Sequence, residues 1–554
     1  MRFTLNSSLL VATTTKAQKK SNKTAQKQQN HSFLASEWLV ERAGDWRVAL
    51  ALSAVYTVIL LIAAHFYHRV GDYGVETDFF WSYAPDARTI QSILKGEGGA
   101  FPIDGFRGPM YPLVLSIVAF IVQDFFAAGV IFGILCAGAT LFLTHQLVLK
   151  FFGKVEALFV LLILATNSVF IQYSYSAGTD MFFNLVATLA IYAFLNVLNG
   201  EGFRWLIVAS VASGVALLTR QNSFFLIAGF LLSLFVLNPS KQPLKAQMLS
   251  VLTFVGIVFA LYAPYGFYTL QEKGKFFYSL NYLNIAKDLF GRETNWDSFW
   301  YGKSQSFNSL ADVILTDPVK FFTNTLANIP SHFIGDMGEL LSWFLGVFVM
   351  GGIVAVSVQR TLTRVQLAYF IFAVMHFGVL LLTFYGARFS LNLIAPYAVL
   401  AVLFFKWDAV PKLVHYALPI VLAIVLFQSV QFHRKNIDSG PQEMLALREK
   451  FFEITGRNPK THYNEIVITR KPHIAYYLNL NMGGFPMVET YDELIAEARK
   501  LGASYLFYSY FEANLRPQFR FLFNIKEAPP ELEPIMTLMN PPAVLYRIKP
   551  DTTK

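Results

Sequence analysis

Tyr111-Pro112-Leu113-Val114-Leu115-Ser116-Ile117-Val118-Ala119-Phe120-Ile121-Val122 decides how this chain threads a membrane. The stretch is apolar almost throughout. It has only about a dozen residues, where a crossing helix needs about 20, and Pro112 stands at its start. Counted as a span, it would reverse the side of every later loop. Left out, it reads as a helix lying in or near the outer interface, and the other apolar runs fall into an order that charge supports.

Those runs are Val48–Tyr67, Phe125–Leu149, Val155–Tyr173, Met181–Leu198, Trp205–Leu218, Phe224–Leu237, Leu249–Leu270, Leu340–Val358, Val365–Phe384, Leu391–Trp407 and Leu413–Val430. Most have the length that roughly 30 Å of hydrocarbon demands, Trp205–Leu218 and Phe224–Leu237 being short. With the N-terminus inside, the inner loops hold Lys150 and Lys154, Arg204, Lys241 and Lys245, Arg360 and Arg364, and Lys406 and Lys412. All are basic, and the outer loop Ser174–Asp180 has neither Lys nor Arg, which is the positive-inside pattern. The expected fold is therefore an all-α polytopic membrane protein with about eleven transmembrane helices, plus outer-face interfacial helices and a small C-terminal α/β soluble domain.

Composition agrees. Of 554 residues, 55% are hydrophobic and only 15% charged, less charge than a soluble protein carries, and the mean hydropathy is +0.44. The net charge of +9 follows membrane orientation and gives no reason to expect a nucleic-acid partner. The single cysteine, Cys136, lies within a span and excludes both an internal disulfide and a thiol–metal cluster. Residues 1–47, rich in Lys, Gln, Ser and Thr, are expected to be a disordered cytoplasmic tail. Residues 48–435 form the transmembrane domain, with long outer loops at 69–124 and 271–338. Residues 436–554 form an extracytoplasmic domain. In that last part Glu465–Thr469, Ser504–Ser509 and Ala543–Ile548 read as strands. Tyr491–Leu501 reads as an amphipathic helix with Asp492 and Glu493 in its first turn and Gly502 closing it.

Ionisable residues at the rims of spans are costly and tend to be functional. The first outer loop opens Glu76-Thr77-Asp78-Phe79-Phe80-Trp81-Ser82-Tyr83-Ala84-Pro85-Asp86-Ala87-Arg88 and closes Gly105-Phe106-Arg107-Gly108-Pro109-Met110. Its carboxylates are either a general base, partly desolvated at the membrane boundary, or capping residues of a solvated helix start. Arg107 is either a contact for an anionic head group or an interface anchor. Asp180 opens a span and is either a helix N-terminal acid or the second acid of a site. Arg220 and Arg388 break the charge bias on the outer side. A guanidinium at that depth suits a lipid phosphate, the alternative being snorkelling to the interface. His376 reads as a hydrogen-bonded core residue. His332, Asp336 and Glu339 have a spacing that allows a metal or acceptor contact. No Walker loop, dinucleotide fingerprint, HExxH or GxSxG occurs, so neither a cofactor nor nucleotide-driven transport is expected.

Together these residues resemble the C-type fold glycosyltransferases, which use polyprenyl-phosphate-linked sugars. The resemblance rests on Thr77-Asp78 soon after the first span, Ala87 to Gly96, and Gly108-Pro109-Met110-Tyr111-Pro112. It also rests on Ser213–Arg220, Arg388-Phe389 with Pro396, Arg470–Tyr477 and Gly502–Leu506. The chain is similar to protein O-mannosyltransferases, the lipid A aminoarabinose transferase and the rhizobial lipopolysaccharide-core transferases. The resemblance implies that Asp78 takes the proton of an acceptor hydroxyl, which displaces polyprenyl phosphate with inversion. Asp180 would support Asp78, while Arg107, Arg220 and Arg388 would hold the leaving phosphate. The implied partners are a polyprenyl-phosphate sugar donor, a glycan, lipid or protein acceptor, and membrane lipid, with no metal. Relatives often carry an acidic pair where this chain has Asp78-Phe79, and the distance to Gly96 is a few residues longer, which leaves Asp86 as the other candidate base. The rival reading is a lipid-linked sugar flippase or transporter, which would show inverted repeats and broken helices at mid-membrane.

Overall fold

The computed structural model describes residues 37–292, 294 and 296–550. Residues 1–36 of the expected tail lie outside the described residues. Nearer the first span the tail reading is corrected: Glu37–Ala43 is a helix. Asp45 then caps the long helix Trp46–Tyr67, its carboxylate accepting from Arg47 N at 2.9 Å.

Each of the eleven apolar runs contains a helix. Among the described residues, five helices are long and apolar enough to cross a membrane: Trp46–Tyr67, Phe125–Phe151, Asp180–Leu198, Leu244–Lys273 and, with its preceding turn, Lys412–Asn436. Lys154–Thr166 and Ser168–Tyr175 meet at a 63° bend and, taken together as one span, make a sixth. The expected span Val155–Tyr173 therefore carries a sharp break at Asn167. Asn167 leaves the helical conformation, its side chain accepts from Phe170 N at 2.8 Å, and its amide donates to Leu340 O at 2.6 Å. Ser429 takes up the freed carbonyl of Thr166 at 2.6 Å, as a break inside apolar surroundings requires. The run Leu340–Val358 also begins late, since Asp336–Leu340 is a π-turn and the helix starts at Trp343. Val365–Phe384 ends early, its helix stopping at Leu380.

Met110–Val122 is a helix of 13 residues, about 20 Å long at 1.5 Å per residue. Tyr111, Leu115 and Ala119 are buried, and Ile117 and Ile121 point outward.

The C-terminal part carries a five-stranded sheet in the order β2-β1-β3-β5-β4. Strands β1 (Ile466–Thr469), β2 (Asn481–Gly484) and β3 (Ala503–Ser509) are parallel, while β4 (Leu532–Met539) and β5 (Pro542–Ile548) join antiparallel. The helix Tyr491–Lys500 has a capping box between Thr490 and Glu493, and Gly502 follows with φ +67°, the left-handed geometry that ends helices. Both strands absent from the sequence reading are sheet edges. Asn481-Met482-Gly483-Gly484 has no β-branched residue, and Pro534 sits at the register shift of β4, where an edge tolerates it.

This sheet is not tethered apart from the helices. One face packs on Leu494, Ile495 and Ala498. The other shares a core with the segment 69–124 and the helix after it, where Val467, Tyr505 and Phe507 join Phe79, Phe80, Tyr111 and Phe126. Phe80 lies 4.3 Å from the His473 ring and 4.9 Å from Tyr476.

Candidate functional site

The candidate residues meet at one end of the bundle, the end that carries the sheet. Asp78 stands just before the π-turn Phe79–Tyr83. Phe79, at the second position of the expected acidic pair, is completely buried against Phe80 and Phe126, so this position serves the core. Asp180 is the first residue of its helix and is buried. Arg220 follows the helix Phe203–Thr219 in an extended conformation, which turns its guanidinium back towards Asp180. Arg388 lies in the turn after the helix Arg364–Leu380.

Their side chains form a chain of alternating charge. Arg107 donates to Asp78 Oδ1 at 2.6 Å and to Asp104 Oδ2 at 2.7 Å. Arg388 bridges Asp78 Oδ2 at 3.3 Å and Asp180 Oδ1 at 3.4 Å. Arg220 donates to Asp180 Oδ1 at 2.7 Å and to Thr179 Oγ1 at 2.9 Å. Three guanidiniums thus face three carboxylates, with Arg388 on the longest contacts. Asp180 sits in a helix first turn and pairs with two arginines.

Gly108 fixes the separation of two of these arms. A Cβ there would lie 1.9 Å from Leu218 O, so the Arg107 loop rests directly on the backbone that leads to Arg220. Beside Arg107 a cavity of about 80 Å³ is lined by Leu218, Phe224, Tyr262, Tyr265, Phe277 and other, mostly apolar, groups.

Asp86 stands one step aside. Ser82 Oγ lies 2.9 Å from Asp86 Oδ2 and 2.7 Å from Asp104 Oδ2. Burial pushes the Asp86 carboxyl up to about 6, against the Ser82 hydrogen bond that lowers it. For Asp78 burial also opposes the charge, but Arg107 and then Arg388 outweigh it and hold the carboxyl below its usual range. A carboxyl raised on folding binds its proton more tightly in the folded state. Its penalty is therefore absent below the unfolded value near 4 and fully felt above about 6. Asp86→Asn is expected to stabilise the protein by about 2 kcal/mol at pH 7–8 and to change little at pH 4. Thermal unfolding in detergent across that range checks it, and equal gains at both ends would contradict it.

Two further residues belong to this assembly. Asp104, in Ile103-Asp104-Gly105, reads locally as a turn acid, and it does accept from Phe106 N at 2.7 Å. Its spacing of three from Arg107 is the only sequence hint of their ion pair. Glu76 is completely buried. It accepts from Ala177 N at 2.6 Å and Asp72 N at 3.0 Å, and it faces His68 Nε2 at 3.0 Å.

The other candidates lie elsewhere. His376 is buried and stacks on Phe225 at 4.4 Å. It is a core residue as expected, but neither ring nitrogen has a hydrogen-bond partner among the described residues, which corrects that half of the reading. Asp336 takes the Tyr397 hydroxyl at 2.9 Å, and the His332 ring packs on Tyr385 at 5.3 Å.

A family model described as dolichyl-phosphate-mannose-protein mannosyltransferase matches residues 106–268, a stretch holding Arg107, Asp180 and Arg220. No curated protein matches the chain by sequence. Among solved structures, ArnT from Cupriavidus metallidurans in the apo state aligns over 91% of this chain and 97% of its own, at 12% identity and a TM-score of 0.55. The same protein bound to undecaprenyl phosphate gives 13% identity and 0.53. The oligosaccharyltransferase AglB from Archaeoglobus fulgidus, in complex with an inhibitory peptide and a dolichol-phosphate, aligns over 85% of this chain and 70% of its own, at 14% identity and 0.53.

Proposed function

We propose, from the premise that the chain has the C-type glycosyltransferase fold, that it moves a sugar from a polyprenyl-phosphate donor to an acceptor hydroxyl on the extracytoplasmic face. The observation that carries this reading is the convergence of Arg107, Arg220 and Arg388 around Asp78 and Asp180. Three guanidiniums at a membrane rim match the planar, two-pronged recognition of a phosphate. The apolar cavity beside Arg107 offers room for the first carbons of a prenyl chain.

The acceptor oxygen attacks the anomeric carbon as the bond from that carbon to the phosphate oxygen breaks. The acceptor proton passes to Asp78, the configuration inverts, and polyprenyl phosphate leaves into the arginines, which stabilise its growing charge. Asp78 is the base in preference to Asp86 because the arginines that would hold the phosphate are its own partners, while Asp86 is removed from them by Ser82 and Asp104. The pairing also times the reaction. Without donor, Arg107 and Arg388 keep Asp78 a poor base. A phosphate that engages those guanidiniums offsets their charge and lets the Asp78 carboxyl rise toward its ordinary value.

Transfer from polyprenyl-phosphate hexoses and pentoses, measured in membranes that express the chain, tests the reading. Product from at least one donor is expected. Facilitated transbilayer movement of a labelled donor with no product would replace it with the flippase reading. Arg388→Lys keeps the charge but cannot bridge Asp78 and Asp180 through two nitrogens. It is expected to lower kcat/KM about tenfold, about 1.4 kcal/mol, and an unchanged value would remove Arg388 from the phosphate site.

A further inference from the structure

The segment that follows β1 reaches both outer loops within four residues. Arg470 donates to Asp297 of the second outer loop at 2.6 Å, where Arg516 also binds at 2.8 Å. The next residue, Lys471, turns to the first outer loop. Its ammonium donates to Tyr73 O at 2.5 Å and Thr77 Oγ1 at 3.1 Å, and it lies 5.0 Å over the Phe511 ring. The His473 ring then bonds Asp72 O through Nε2 at 2.9 Å. Thr77 directly precedes Asp78 and donates in turn to Tyr73 O at 2.5 Å. Lys471 therefore holds the last turn of backbone before the candidate base, from a part of the chain nearly 400 residues away in sequence.

We propose that Lys471 is a positioning residue for Asp78, by which the C-terminal domain sets the geometry of the base and couples it to the second outer loop through Arg470 and Asp297. The proposal rests on Asp78 being the base. The three N–H groups of the ammonium meet a carbonyl, a hydroxyl and a ring face, a set that fixes direction as well as charge. Around it stand Arg470 on its own segment, Asp72 and Asp78 on the first outer loop, and Glu512 beside Phe511. Burial, aided by Arg470, lowers the Lys471 ammonium to about 8, against the three acids. It is charged below that pH and neutral above it, so its hold on Thr77 weakens as pH rises through about 8.

The test uses the full chain in membranes and the donor from which wild type transfers. Lys471→Met is expected to lower kcat about tenfold at pH 7, with the donor KM unchanged and the alkaline fall of kcat near pH 8 abolished. Lys471→Arg, which still reaches both acceptors, is expected to restore at least half of kcat and to move that alkaline fall upward by a pH unit or more. A fully active Lys471→Met, or an arginine variant whose profile overlays wild type, overturns the proposal. The arginine profile decides the matter even if the methionine variant does not fold. Absence of transfer by wild type from every donor would instead fail the glycosyltransferase reading.

Discussion

Asp78→Asn is expected to lower kcat by about a thousandfold, within the 10²–10⁴ that proton transfer by a positioned group contributes, while donor KM stays equal or falls. Asparagine keeps the shape of the side chain and cannot accept the proton. It also releases Arg107 and Arg388 from a carboxylate that competes with the phosphate, so donor binding does not suffer. That split separates a base from a binding residue, whose loss raises KM. Asp86→Asn is the companion variant, and its kcat is expected to stay within tenfold of wild type. Steady-state kinetics with a labelled donor reads both, and the reverse order of the two effects would move the base to Asp86.

Glu76→Ala is expected to destabilise the fold by about 3–5 kcal/mol, the usual cost of removing one partner from a buried ion pair. His68 Nδ1 lies 3.1 Å from Ile437 O, which can only accept, and Nε2 faces the Glu76 carboxylate. Both contacts favour a proton on each nitrogen, and so the imidazolium form. Burial alone would lower the His68 pKa, but Glu76 raises it above its ordinary value. Loss of Glu76 strands that ring and also leaves the N–H groups of Ala177 and Asp72 without their acceptor. The sign with pH follows. Stability from this pair is complete below the unfolded histidine value near 6.5 and is lost as pH rises through the raised folded value. Denaturation in mild detergent at pH 6 and pH 9 checks this: the deficit of Glu76→Ala should be larger at pH 6. A variant as stable as wild type at pH 6 would show that the pair does not hold the loop.

How far the sequence carried the reading differs from residue to residue. Arg220 and Arg388 were legible because they break a one-sided charge rule, and such exceptions are few. Asp78 and Arg107 were legible as a carboxylate and a guanidinium in one long loop beside aromatics. Asp104 was not, because an Asp-Gly pair has the same local pattern whether or not an arginine three residues on turns back to it. The role of Glu76 was hidden for a different reason. Its shortest contact is a backbone N–H 101 residues away, and a main-chain donor leaves no trace in residue type. The bend at Asn167 escaped because hydropathy averages over the break, while one amide side chain and the Leu340 carbonyl redirect the helix. The docking of the sheet on the first loop was equally silent. Nothing local in Phe79-Phe80 tells that β1 and β3 supply the surface they pack on.

The reach of the charged chain along the sequence sets a timetable for its birth. Asp78 and its partner Arg388 are 310 residues apart, which at about 5–20 residues per second is about 15–60 s of synthesis. The first outer loop emerges with Asp78 and Glu76 early. It waits for Asp180, then Arg388, then the carbonyl of Ile437 and the ammonium of Lys471, which arrive last. Until Arg388 is made, Asp78 has only Arg107 of its two arginine partners. A truncation before residue 437 would leave His68 without the Ile437 carbonyl and the loop without Lys471.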